Sequence, residues 1–146
     1  MVSAKQVDSL RCGVIHRSAA APPGPGDNVF FNASSFPTTG LSVNISNVST
    51  ARCRNMSWVG ATNNPAFTGN GPLFVSGSMT LIPGMTWTLS GDLTFDIGLI
   101  AMPSRTITTS GVQINSRMIY NASGVTWSLA GVLNSCLLYT SDAADE

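Results

Sequence analysis

Asp92 and Asp96 lie four residues apart, and a pair of carboxylates is what glycoside hydrolysis requires. On an extended chain rising ~3.3 Å per residue, their Cα atoms stand about 13 Å apart on one outward face. A hydrolytic pair holds its carboxyl groups ~5 to 9.5 Å apart, a gap that side-chain reach can close. No His, Lys or third acid joins them on this stretch, so the expected role is solvated surface or a loose cation contact. Calcium asks for ~6 to 8 oxygen ligands, more than two carboxylates supply, and the spacing is not that of a calcium-binding nonapeptide repeat. No catalytic, cofactor-binding or metal-binding residue is assigned, and the chain is expected not to be an enzyme.

The other reactive residue types lead the same way. Cys12, Cys53 and Cys136 do not make a disulfide framework. Cys12 and the single histidine, His16, fall in the first 21 residues, and Cys53 sits in the string ARCRNMSW. Its expected role is that of a small buried residue rather than a ligand or nucleophile. Trp87 and Trp127 could stack on sugars, but they share parity with Leu89, Phe95 and Leu129, which predicts core. Trp58 follows Met56 at the same parity and is predicted buried. Asn-x-Ser sequons occur at Asn32, Asn44, Asn47, Asn55 and Asn121. Several arise by chance in a chain this rich in Asn and Ser, and they matter only in a eukaryotic secretory pathway.

The elements that would position these residues read as strands. From Met85 to Leu99 the odd positions are Met, Trp, Leu, Gly, Leu, Phe, Ile and Leu, while the even positions are mostly Thr, Ser and Asp. That is period two with one wet face. Leu73, Val75, Met79 and Leu81 share the odd-inward phase, as do Val125, Trp127, Leu129 and Leu133.

A longer period lies over the short one. Every twentieth residue from Phe67 gives Phe67, Trp87, Ile107 and Trp127; beside it run Thr68, Thr88, Thr108, Ser128 and Gly71, Gly91, Gly111, Gly131. Thr86, Thr106 and Thr126 form a further hydroxyl series, and Pro83 and Pro103 suit turns. A fixed period near twenty marks a solenoid, whose units bury their apolar faces only against neighbours. Twenty is even, so a full rung keeps inward side chains over inward side chains. Val112 and Ile114 slip out of phase, which predicts a corner or bulge near Gly111. The glycine column suits bends that need positive φ or close backbone approach. Earlier strands are expected at 28–31, 41–45 and 53–59, with turns in SSFPTTG and GATNNP. The predicted fold is all-β, a right-handed parallel β-helix with ~20-residue rungs. The rival, an antiparallel β-sandwich, gives no reason for the sustained register.

The strings GDNVFFNASSF, CRNMSWVGATNNPAFTG and LFVSGSMTLIPGMTW run in that order over roughly residues 22 to 133. They resemble a repetitive β-helix-like region of large secreted or surface-anchored bacterial proteins, where strings such as DNVFFD, C-x-x-M-x-W and LNVYGSLT recur. The resemblance implies extracellular or cell-surface placement and a scaffold or adhesion role, and it brings no catalytic motif. Asn32 stands where such regions often have Asp, which weakens a calcium site there.

Charge and the chain ends set the domain bounds. The last eleven residues, Cys136 to Glu146, resemble the translation of a transposase-type sequencing adapter, a processing scar that belongs outside fold reasoning. Without Asp142, Asp145 and Glu146, four acids face seven basic residues, about three net positive charges. Residues 1–21 show neither strand alternation nor the ~7 to 15-residue apolar run of a signal peptide. They are expected to be a leader, with the solenoid domain at 22–135, cut short at its C-terminal side. Within it the acids are Asp27, Asp92 and Asp96, and Glu is absent. Polarity carried by hydroxyls and amides suits an extracellular β protein. Basic residues are too scattered for nucleic acid, and no stretch approaches the ~20 apolar residues of a membrane span.

The expected function is a non-catalytic structural or adhesive stalk segment, extracellular or at the cell surface. Its expected partners are glycans, other surface proteins and further rungs of its own chain, with no cofactor. The alternatives are a carbohydrate-binding β module and the noncatalytic part of a β-helical polysaccharide-active enzyme. An open last rung predicts poor solubility in isolation.

Overall fold

The computed structural model describes residues 22–46, 50–98, 104–121, 124–135 and 138–140. The alternating stretches form short strands because each puts one row of apolar side chains inward, and each strand is ended by Gly, Pro, Asn or Ser at a corner. The strands fall on three faces. The first holds β1 (Val29–Phe30), β4 (Met56–Ser57), β7 (Met79–Thr80), β10 (Arg105–Thr108) and β13 (Trp127–Ala130). The second holds β2 (Ser42–Ile45), β5 (Ala66–Gly69) and β8 (Thr86–Leu89). Beside β8 comes β11 (Gln113–Ile114), which ladders with β14 (Asn134–Ser135). The third holds β3 (Ala51–Cys53), β6 (Leu73–Val75), β9 (Leu93–Asp96), β12 (Met118–Asn121) and β15 (Leu138–Thr140).

The chain visits the faces in strict rotation, so each coil is three strands. Every strand pairing among the described residues is parallel. The fold is therefore a parallel β-solenoid, and the antiparallel sandwich is excluded.

The period needs correction. Phe67 lies over Trp87 and Leu73 over Leu93, each twenty residues on. Other steps are longer: 23 residues from Met56 to Met79, 25 from Leu93 to Met118 and 28 from Met79 to Ile107. Ile107 accordingly stacks on Met79 and Leu129 rather than on Trp87, and Trp127 lies opposite Arg105. The reason is that strand faces fix the ladder while corners accept insertions at little cost.

The inward columns form one core. Phe31 stacks on Trp58 with ring centroids 4.0 Å apart, Phe36 lies 5.5 Å from Trp58 and 5.8 Å from Phe31, and Phe67 meets Trp58 edge-on at 5.7 Å. Trp87 continues the series 4.7 Å from Phe67. Such pairs add about 0.5–1.5 kcal/mol each beyond the area they bury. Trp58 and Trp87 are buried as parity predicts, whereas Trp127 is half-buried. Leu129 and Ile97, inward by parity, are exposed. Leu129 belongs to the last coil, and Ile97 leaves the sheet just after β9.

Predicted strand 53–59 is in fact β3 and β4 separated by a corner at Arg54 and Asn55. The slip after Gly111 is a corner too: Ser110 and Gly111 both take positive φ, 52° and 79°, after which the even residues Val112 and Ile114 turn inward. The glycine column divides between two corners. A Cβ on Gly71 would overlap the Ser46 carbonyl, and one on Gly91 the Gly71 carbonyl, whereas Gly111 and Gly131 serve through positive φ. Pro83 lies in a turn. Pro103, Asn47, Leu99, and residues 1–21 with Cys12 and His16 lie outside the described residues, as do Cys136 and residues 141–146. Within the segment assigned to the adapter, Leu138–Thr140 runs parallel to β12.

Candidate functional site

Asp92 immediately precedes β9 and Asp96 ends it, on the third face, and each carboxylate is drawn to an arginine from another coil. Asp92 receives Arg117 Nε at 3.0 Å and Nη2 at 2.6 Å, a bidentate grip between exposed side chains. Asp96 receives Arg52 Nη1 at 3.4 Å and the Gly98 amide at 3.2 Å. The Arg52 guanidinium also lies over the Phe74 ring, 4.2 Å from its centroid. The two acids thus serve two separate ion pairs, 25 and 44 residues apart in sequence, and share no convergent geometry. Exposed pairs of this kind contribute about 0.2–1 kcal/mol each.

Below them lies a residue that composition does not reveal. Arg105 opens β10 at the inward parity of Ile107, and it is 1 % exposed. Its two terminal nitrogens donate to the carbonyls of Asp96 at 2.6 Å and Ile97 at 2.9 Å, and its guanidinium lies 4.8 Å from the Trp127 ring centroid. Burial lowers its pKa from the usual guanidinium value, and the Asp96 charge works the other way. Arg105 ties the end of β9 to the start of β10, the last connection within the 28-residue step from β7 to β10.

Amides and hydroxyls form ladders from coil to coil. Asn55 Nδ2 donates to Asn28 Oδ1 at 2.7 Å, Asn55 Oδ1 accepts the Ser78 amide at 2.7 Å, and Ser78 Oγ accepts the Thr106 amide at 3.0 Å. On the second face Asn44 Nδ2 donates to Thr68 Oγ1 at 3.0 Å. Of the hydroxyl columns expected from the twenty-residue period only the Thr68–Thr88 link forms, and the first face pairs its hydroxyls differently. Thr68 lies beside Thr88 on the second face, while Thr80 lies beside Thr108, and Thr106 beside Ser128, on the first. Thr86 and Thr106 occupy different faces, so that series does not exist.

The remaining candidates have structural placements. Cys53 is buried in β3. Asn32 caps a single 3-10 turn, Ala33–Ser35, accepting the Ser34 amide at 3.0 Å, while Ser35 Oγ accepts the Asn32 amide in return. Of the sequons, Asn44 and Asn55 have their amide nitrogens engaged in the ladders, and Asn32 and Asn121 are exposed. Among the described residues no group of three His, Cys, Asp or Glu side chains could hold a metal ion, and no helix is long and apolar enough to cross a membrane.

The signal for the ion pairs lay in coil length: Arg117 follows Asp92 by one coil step, which becomes visible only once the true register is known. Comparison with family models, curated proteins and solved structures finds no match.

Proposed function

We propose that the chain is a segment of a non-catalytic structural or adhesive stalk of a secreted or surface-anchored protein. The observation that carries this is the direction in which its polar side chains are spent. The Asn28, Asn55, Ser78 ladder and both ion pairs join one coil to another along the stack. A side chain bonded to the neighbouring coil stiffens the long axis, which is what a spacer requires. The low charge and hydroxyl-rich surface support extracellular placement, and the resemblance of its strings supports a bacterial surface protein.

The rival is a glycan-binding face, and Thr86 and Thr88, both exposed on β8, are its best candidates. A glycan array and a panel of insoluble polysaccharides separate the two. The stalk reading expects no saturable binding. Binding to one glycan class that is lost in Thr86→Val and Thr88→Val would replace it with the carbohydrate-binding reading.

A further inference from the structure

Asn70 is the one asparagine in the chain followed by glycine. A glycine amide carries no side chain to hinder ring closure, so its nitrogen can attack the Cγ of the asparagine before it. Every other asparagine precedes a residue with a side chain, and Asn64 precedes proline, which has no amide N–H at all. The corner that holds Asn70 and Gly71 joins β5 to β6, and it is clamped on both sides. From the preceding coil, the Ile45 carbonyl accepts the Asn70 amide at 2.9 Å and the Gly71 amide at 3.0 Å. From the following coil, Ser90 donates to the Gly69 carbonyl with its amide at 2.9 Å and its Oγ at 3.2 Å. Gly71 is buried where a Cβ would overlap the Ser46 carbonyl, and its own carbonyl stands against Gly91. The Asn70 side chain, by contrast, is open to water.

We propose that Asn70 and Gly71 form a self-modification site that the folded corner holds shut, so that its conversion records the openings of this coil. The reaction needs only water. The Gly71 nitrogen, its proton passed to hydroxide, bonds to Asn70 Cγ; the bond from Cγ to Nδ2 breaks, ammonia leaves and a five-membered succinimide remains. Water then adds to one of the two ring carbonyls and opens the ring to aspartate or to isoaspartate. The net change is one water consumed and one ammonia released. While the Gly71 N–H donates to Ile45, its proton is held and its peptide plane is fixed; local opening of the corner releases both. The two products differ in what the corner can accept. Aspartate leaves the backbone as it was and adds one exposed charge. Isoaspartate routes the chain through the side chain and lengthens the corner by a methylene, at a place where Gly71 and Gly91 leave no room for a single Cβ. A coil that takes the second path cannot close again. The inference rests on the geometry of this corner and is independent of the stalk reading.

The test is peptide mass spectrometry of the whole chain after ageing at mildly alkaline pH, in native buffer and in guanidinium chloride, with aspartyl and isoaspartyl products counted apart. In denaturant Asn70 should convert ahead of every other asparagine. In native buffer its rate should fall at least about tenfold, which corresponds to an opening free energy of about 1.4 kcal/mol or more. Ser90→Ala, which removes one of the two bonds to the Gly69 carbonyl, should raise the native rate and leave the denatured rate unchanged. Should that variant fail to fold, the wild-type chain supplies the comparison: on warming below the melting temperature, Asn70 conversion and Gly71 amide exchange should rise together. Asn70→Asp should melt as the wild type does, and chains isolated in the isoaspartyl form should melt lower. Equal rates in the two solvents, or another asparagine leading in denaturant, overturn the proposal. So does a native rate that ignores both Ser90→Ala and the exchange of Gly71, or an isoaspartyl chain that melts with Asn70→Asp.

Discussion

Trp58 and Trp87 are both buried, yet the fold treats their indole N–H groups differently. Trp87 Nε1 donates to Ser116 Oγ at 2.9 Å, and Ser116 donates on to the Leu89 carbonyl at 2.8 Å. Trp58 Nε1 has no hydrogen-bond partner among the described residues. A buried donor left unsatisfied costs ~1–3 kcal/mol. Phenylalanine at either site loses ring area, but only at Trp58 does it also remove such a donor. Trp58→Phe should therefore cost at least about 1 kcal/mol less than Trp87→Phe in denaturant unfolding, and equal losses would show that ring packing alone decides. Tyr120 offers a pH-dependent counterpart. It packs 5.1 Å from the Phe95 ring and 5.9 Å from Trp127, and burial raises its phenol above the ordinary value. The folded chain holds this proton more tightly than the unfolded chain. Its contribution is thus complete below pH ~10 and is lost as pH rises through the folded value. Tyr120→Phe should flatten the alkaline fall in melting temperature; an unchanged fall would place that sensitivity in another group.

At the scale of the strand and corner, the tightest constraint is where backbones meet. Gly91 sits against the Gly71 carbonyl, with no room for a Cβ, and the obstacle is main chain that cannot rotate away. Gly26 has nothing within 4 Å. Gly91→Ala should cost about 1–3 kcal/mol or more through overpacking, whereas Gly26→Ala should lie within about 0.5 kcal/mol of wild type. Thermal unfolding of the two variants checks this, and similar melting temperatures would refute the close-approach account. The same corners explain what could be read from the sequence. Period two was legible because one face of each strand is buried, so Phe67, Trp87, Leu73 and Leu93 declared themselves, as did the slip at Gly111. Coil length was not legible, because an insertion at a corner changes the count and leaves the ladder intact. Hence the twenty-residue columns joined residues of different faces, such as Thr86 with Thr106. Arg105 escaped because parity arguments look for apolar residues inside. Its burial depends on two carbonyls and a tryptophan ring that come together only in the folded coil.

For the whole molecule, a stack in which each coil touches only its neighbours should not open all at once. Stability is then local, and the coil with a neighbour on one side only is the first to fray. The inward side chains of β7, β8 and β9 are covered on both sides, as the near-zero exposure of Met79, Leu89 and Leu93 records. The first coil has one neighbour, yet its inward Val29, Phe31 and Phe36 are buried. The last has one neighbour and Leu129 open to water. Amide hydrogen exchange should therefore be asymmetric: slow in β7 to β9, nearly as slow in β1 and β2, and fastest in β13 and β14. Covering that end with one added coil should move the fast-exchanging edge outward and slow the β13 amides toward the values of β10. Equal exchange at the two ends of the unmodified stack would mean that the burial of Val29 and Phe31 gives the first coil no advantage over the last, where Leu129 is exposed.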